Sequence, residues 1–295
     1  MNSKLKKTVT VILTLVMMFS LAACGNSGGE EGGEKASPIT VISREDGSGT
    51  RSAFTELMGI MVDDVDNTTL NAEISQSTSV VVTTVAGNPK AIGYISMGAM
   101  SDEVKGVKVD GTEPTADNVK AGTYPVSRPF AVCTNGQLTG AAADFIEYIL
   151  SAEGQAVIAE EGYITVDDAA PSYEAKEGIS GRIVLAGSTS VAPVMQVLAD
   201  RYKAMYEGMG QEIQIEIQQT GSGAGITSTI EKACDIGMSS RALKAEELDA
   251  GLTEITIAMD GIAVIVNHEN AAEDLTSEQI RQIFTGEITD WNQVQ

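Results

Sequence analysis

The chain has 295 residues, 41 acidic against 19 basic, and a formal net charge of −22. No basic stripe is left to neutralise a polyphosphate backbone, which excludes nucleic acid as a partner, and long-range steering of an anionic ligand is excluded with it. One histidine and three cysteines leave no cluster with metal-ligand spacing and no His-dependent nucleophilic site, so neither a cofactor nor a metal is expected.

Lys4, Lys6 and Lys7 precede an apolar run from Val9 to Leu21 that ends in Leu21-Ala22-Ala23-Cys24. A basic region, an apolar region and small residues make an export signal, and the run is short for a membrane span, which needs about 20 apolar residues. Cysteine after Leu-Ala-Ala resembles a bacterial lipobox. That resemblance implies that residues 1–24 are a lipoprotein signal peptide and that Cys24 carries acyl chains such as palmitate. An ordinary secretory signal with an incidental cysteine is the plainer alternative. Residues 25–38, rich in Gly and Glu with nothing apolar to pack, read as a flexible tether.

The folded part begins with a strand at Ile39–Ile42 and a helix at Thr50–Gly59. A second helix spans Ser77–Ala86, capped by Ser77 and stopped at Gly87-Asn88-Pro89. Strands follow at Ala91–Ile95 and Phe130–Val132, then helices at Thr139–Leu150 and Glu153–Glu160. Residues 166–180, with Asp167–Gly178 at their centre, show no apolar period and read as a linker. Arg182–Ala186 is a strand. The next helix carries Val191, Val194, Met195, Leu198, Tyr202 and Met205 at helical spacing. Ile213, Ile215 and Ile217 alternate as a strand, followed by a helix at Ile226–Ala233, strands at Asp235–Met238 and Ile262–Val266, and a helix at Ser277–Phe284. Strands alternating with helices define an α/β chain with mostly parallel sheets.

Three Gly-plus-hydroxyl loops fall between a strand and a helix: Gly47–Thr50, Gly187–Ser190 and Gly221–Gly225. Each aims backbone N–H groups and hydroxyls outward from a helix start, which makes an anion socket of mostly neutral donors. Ligands in such sheets sit at the carboxyl ends of strands, where all three loops fall. Chemistry beyond binding finds little support. His268 sits in a polar turn, no Gly-x-Ser-x-Gly elbow stands at a strand end, and no phosphate-cradling P-loop is present. Cys133 and Cys234, each in an apolar stretch, read as buried free thiols.

At this point the residues match a family. Arg44–Thr50, Ala91–Tyr94, Tyr124–Pro129 and Ser151–Gln155 resemble the second half of the phosphate-binding proteins of bacterial ABC transporters. Gly187–Val191, Gly221–Gly223, Asp235–Arg241, Asp260–Val264 and Leu275–Trp291 resemble the first half. The resemblance covers nearly all of Ile39–Trp291, with the halves in reversed order. It implies an α/β, two-lobed type II periplasmic-binding-protein fold, circularly permuted, with the ligand cleft between lobes. A truncated longer chain is the rival account of the order. One lobe would be discontinuous, 39–125 plus 259–295, and the other continuous, 126–258, including the linker.

The resemblance also implies the site. Arg44 would make the charged contact to phosphate, with Asp46 orienting it. Ser48, Gly49, Thr50, Thr189, Ser190 and Ser222 would donate from opposite lobes, and the plainer reading of each is a helix cap. Many relatives place an aspartate near Ser240 to accept the proton of hydrogen phosphate. Ser240 stands there here, and Asp260 is the candidate substitute acceptor. The expected function is an extracytoplasmic solute-binding lipoprotein, held on the cell membrane by its lipid anchor, that captures inorganic phosphate for an ABC-transporter permease. The alternatives are an oxyanion sensor or a sulfate- or molybdate-type receptor without a transport role, and, less favoured, a phosphate-releasing enzyme.

Overall fold

The computed structural model describes residues 36–63 and 65–294. The leader, Cys24 and most of the expected tether lie outside the described residues. The first segment runs β1 (Thr40–Arg44), α1 (Gly49–Leu57), a hairpin of β2 (Met61–Val62) and β3 (Val65–Asp66), β4 (Glu73–Ser75), α2 (Thr78–Ala86), β5 (Ala91–Ser96), β6 (Lys105–Val109) and α3 (Ala116–Lys120). The long β7 (Ser127–Asn135) leads to α4 (Gly140–Ile149), α5 (Ala152–Glu160), β8 (Gly181–Gly187), α6 (Ala192–Glu207), β9 (Ile213–Gln219), α7 (Ser222–Ile230), β10 (Ile236–Ser239) and α8 (Ala245–Asp249). Then come β11 (Leu252–Val266), β12 (Asp274–Leu275) and α9 (Ser277–Thr285).

Local chemistry sets these boundaries. Ser77, in extended backbone, accepts from the Val80 N–H and starts α2, whose Val81, Val82 and Val85 are buried. Thr276 and Gln279 form a reciprocal capping box on α9, and Gly286 ends it in the left-handed region at φ 84°. Helix α6 buries Val194, Met195, Leu198, Ala199, Tyr202 and Tyr206 along one stripe.

One ten-stranded sheet follows the order β4-β1-β5-β11-β7-β10-β8-β9, with β6 against β11 and β12 against β6. Strand β1 is parallel to β4 and β5, and β8 is parallel to β9 and β10. The centre is not parallel. Strands β7 and β11 run antiparallel from Leu252 opposite Asn135 to Gly261 opposite Ser127, with a register shift between Thr256 and Ala258. Past Gly261, β11 pairs with β5 and β6 instead. The expectation of mostly parallel sheets holds where a helical crossover joins neighbouring strands. It fails at the centre, where two strands carry the chain between halves in opposite directions.

Two large apolar cores lie on either side of this crossing. Phe145, Tyr202, Leu198, Leu185, Ile236 and their neighbours form one among α4, α5, α6 and the β8–β10 strands. Phe54, Tyr94, Phe284, Val264 and Ile280 form the other, with Phe54 stacked on Tyr94 at 4.0 Å between ring centroids. The opposite face of that half packs Ile42, Val81, Val85, Ile95 and Ile265.

Two connections bear on the chain order. The linker has neither helix nor strand over residues 165–180, yet it is docked. Tyr173 is buried, and its hydroxyl donates to the Asp144 carboxylate, which also accepts from Tyr202 and Tyr206. At the other junction, Ile39 N–H donates to the Thr289 carbonyl at 2.9 Å and Trp291 N–H to the Ser37 carbonyl at 2.8 Å. The first and last described strands of backbone therefore lie side by side.

Candidate anion-binding site

The three Gly-plus-hydroxyl loops meet. Each follows a parallel strand, β1, β8 or β9, and each opens a helix, α1, α6 or α7. None of these helices has an acidic residue in its first turn to compete for the free N–H groups. Gly223 N–H donates to the Gly47 carbonyl at 2.9 Å and ties the first loop to the third. Gly49 lies close against the hydroxyls of the third loop and of Ser240. A Cβ there would sit 2.5 Å from Ser222 Oγ and 2.8 Å from Ser240 Oγ, so only glycine leaves both hydroxyls in place.

Arg44 is 2% exposed, at the end of β1. Its Nη2 donates to Thr189 Oγ1 at 3.0 Å and its Nη1 to Thr78 Oγ1 at 3.2 Å. Thr78 Oγ1 lies 3.0 Å from Ser190 Oγ and 3.3 Å from Thr189 Oγ1, and Thr50 Oγ1 lies 3.0 Å from Ser190 Oγ. Ser222 Oγ stands 3.3 Å from Ser240 Oγ and accepts from the Ser240 N–H. Ser48 Oγ caps α1 by accepting from the Arg51 N–H. All these side chains are buried.

The structure thus brings Arg44, Ser48, Gly49, Thr50, Thr189, Ser190, Ser222 and Ser240 to one place. Asp260 stands apart from the hydroxyls. Its Oδ2 accepts from Arg128 Nη2 at 3.1 Å and its Oδ1 from Ser96 at 3.0 Å. Arg128 Nη1 then donates to the Ser240 carbonyl at 3.0 Å. The orienting role expected of Asp46 belongs to Glu45, whose two oxygens each accept from Arg44 at 2.7 Å. Asp46 is 98% exposed and pairs with Arg51. Sequence alone cannot choose between adjacent carboxylates, because the turn at Gly47, with φ 81°, decides which one faces inward.

Two site residues escaped the sequence reading. Thr78 joins Arg44 to Ser190, and its signal was a fourth hydroxyl-rich helix start, Ser77-Thr78, directly after a strand. Arg128 was visible only as part of a family motif.

The electrostatics are those of a neutral-donor site. Arg44 is matched by Glu45 and Arg128 by Asp260, and each pair cancels formally. Burial pushes the Asp260 carboxyl up to about 6, against the Arg128 guanidinium and the Ser96 hydroxyl, which pull it down. Burial also lowers Arg128, and Asp260 opposes that shift. Attraction for an anion must then act at short range, from hydroxyls, helix N-termini and the guanidinium N–H groups that Arg44 aims into the cluster. Such an arrangement is suited to holding an oxyanion away from water, and among the described residues it offers no nucleophile–base pair. His268 is exposed, with Nε2 2.9 Å from the Asp102 carbonyl. Among the described residues no group of three or more His, Cys, Asp or Glu is placed to hold a metal, and no helix is long and apolar enough to cross a membrane.

Two lobes joined by paired crossing strands, with donors converging from several loops, define the two-lobed solute-binding class of protein. The chain matches the family model of the PBP superfamily domain over residues 26–153 and 172–295. It is 44% identical over 278 residues to the phosphate-binding protein PstS 2 of Streptococcus agalactiae serotype V, covering 92% of each chain. It is 40% identical over 295 residues to PstS 2 of Streptococcus pneumoniae serotype 4, covering 99% of each. A crystal structure of a phosphate-binding protein of a phosphate ABC transporter from S. pneumoniae TIGR4 is 41% identical, with a TM-score of 0.70 over 88% of this chain and 100% of that one. The chain belongs to the PBP superfamily and, within it, to the family of the PstS 2 proteins.

Proposed function

We propose that this chain captures inorganic phosphate outside the cytoplasmic membrane and passes it to an ABC-transporter permease. The carrying observation is the buried Arg44 guanidinium, which donates to Thr78 and Thr189, with Ser190 and Thr50 joined on through Thr78. On binding, these hydroxyls exchange contacts with one another for contacts with the oxyanion, and lobe closure excludes water. The names of the relatives support phosphate as the ion. Titration calorimetry at two temperatures on the purified protein tests the reading: phosphate should give a saturable heat at one of them at least, and silence at both would end it.

One observation favours a broader oxyanion receptor as the second reading. Both carboxylates near the hydroxyls are engaged, Glu45 by Arg44 and Asp260 by Arg128 and Ser96. A free acceptor for the proton of hydrogen phosphate is what penalises sulfate, which has none to give. Equal affinity for phosphate, sulfate and molybdate in the same titration supports this second reading. Uptake by the reconstituted permease separates transport from sensing.

We further propose the lobes as 39–125 plus 259–295 and 126–258, in circularly permuted order. The two blocks matched by the family model leave a gap that overlaps the linker, and the paired ends at Ser37 and Trp291 suit a break opened there. Exchanging the order genetically, with the linker cut and the ends at Asp290 and Ile39 joined, should give a protein that still binds. Lipidation at Cys24 is likewise proposed from its lipobox-like setting, and a mass increase lost in Cys24→Ser tests it.

A further inference from the structure

Among the described residues, the pair Arg128–Asp260 is a fully buried ion pair that touches the candidate site without belonging to its hydroxyls. The two residues face each other across β7 and β11, at the strand crossing. Their side chains are 2% and 0% exposed. Every polar end of the pair is used. Asp260 takes Ser96, from the end of β5, and Arg128 reaches the Ser240 carbonyl, just past β10. The guanidinium carbon also lies 5.3 Å from the Phe130 ring centre.

Stability alone does not account for this. Burying both charges costs several kcal/mol each, and apolar residues of equal volume often serve a fold as well or better. What the pair supplies is direction. Arg128 holds the carbonyl of Ser240, while the N–H of the same residue donates to Ser222 Oγ. Ser240 is held through the peptide groups on both its sides, and its hydroxyl is thereby aimed beside Ser222 and Gly49.

We propose that Arg128 is a positioning residue for oxyanion binding, held by Asp260 and Ser96 and acting through the backbone of Ser240. The proposal rests on the hydroxyl cluster being the anion site. It makes the strand crossing part of the site, with a line of contacts running from Ser96 through Asp260 and Arg128 to Ser240. Arg128 does not touch the ion.

The test combines Arg128→Lys, which keeps the charge and loses the planar fork, with Ser240→Ala and the double variant. Phosphate affinity is read by calorimetry, and amide hydrogen exchange is read in the ligand-free proteins. Each single variant should weaken phosphate binding about tenfold, the loss of one hydroxyl contact, and the double variant by about the same tenfold rather than about a hundredfold. In ligand-free Arg128→Lys the Ser240 amide should exchange at least about tenfold faster, while the amides of β7 and β11 stay protected. A purely structural role would lower the melting temperature and leave affinity and the Ser240 amide unchanged, and that result overturns the proposal. Additive losses in the double variant overturn it as well. Should Arg128→Lys not fold, Ser96→Ala loosens the same line more gently and should speed Ser240 exchange. Full protection there counts against the proposal. If the wild type does not bind phosphate, the functional reading fails, and the exchange arm still decides what Arg128 does.

Discussion

Gly49→Ala separates binding from folding at a single methyl group. Position 49 opens α1, and alanine is the better helix former by about 1 kcal/mol. The added Cβ meets chiefly the short, rotatable ends of Ser222 and Ser240, at 2.5 and 2.8 Å, and the Ser222 Cβ at 3.1 Å, a contact relieved by a shift of a few tenths of an ångström. Those hydroxyls can turn away at little cost to the fold, so the melting temperature should hold or rise slightly. Their aim is lost, however. Two donors that no longer reach the anion, at about 0.5–1.5 kcal/mol each, weaken binding by about 1–3 kcal/mol, or about 5- to 150-fold in Kd. Calorimetry with phosphate and a thermal melt on the same preparation give both numbers. Unchanged affinity refutes the placement of Ser222 and Ser240 in the site, and a parallel collapse of stability refutes the claim that the clash is relieved by side-chain rotation.

Other outcomes follow from neighbouring features. Thr78→Val keeps the shape but leaves Arg44 Nη1 without its hydroxyl partner; it should cost about 1–3 kcal/mol in denaturant unfolding and weaken phosphate binding at least about fivefold. Asp260 binds its proton more tightly folded, at about 6, than unfolded, at 3.8. The folded state therefore holds more protons between these values, and this group's contribution to stability falls as pH rises from about 4 to about 6, then stays level. In Asp260→Asn the melting temperature should lose that slope, whatever its absolute value. Burial pushes the Cys133 thiol up to about 11; native protein at pH 8 should resist iodoacetamide that labels the unfolded chain within minutes, as mass spectrometry would show.

How much was legible in sequence varied with the kind of signal. Helix α2 was readable to the residue, because Ser77 and Gly87 are chemical punctuation. Strand β9 was readable because Ile213, Ile215 and Ile217 alternate. Strand β11 was found only from Ile262, ten residues late. Its first part mixes Thr and Glu with Ile, and the shift between Thr256 and Ala258 breaks the alternation. Helix α7 was placed four residues late, since Ser222-Gly223-Ala224-Gly225 carries poor helix formers whose conformation is imposed by packing on β8. Within the site, residue types at helix starts marked most of the donors. The pairings of Glu45 with Arg44 and of Arg128 with Asp260 depend on backbone direction over long separations, which a motif does not record.

The path of β11 also decides when each half can fold. Ser96 finds Asp260 only after 164 residues, and Ser37 meets Asp290 across 253. A chain emerging N-terminus first presents β1, α1 and β5 long before β11 and α9 arrive to cover them. The middle segment, with α4, α5, α6 and their strands, has most of its own core partners at hand by contrast. Contacts this distant slow folding and leave apolar surface open meanwhile. The segment bearing Arg44 should therefore acquire its structure last, although it is made first, and it is the half that leaves apolar surface open for longest.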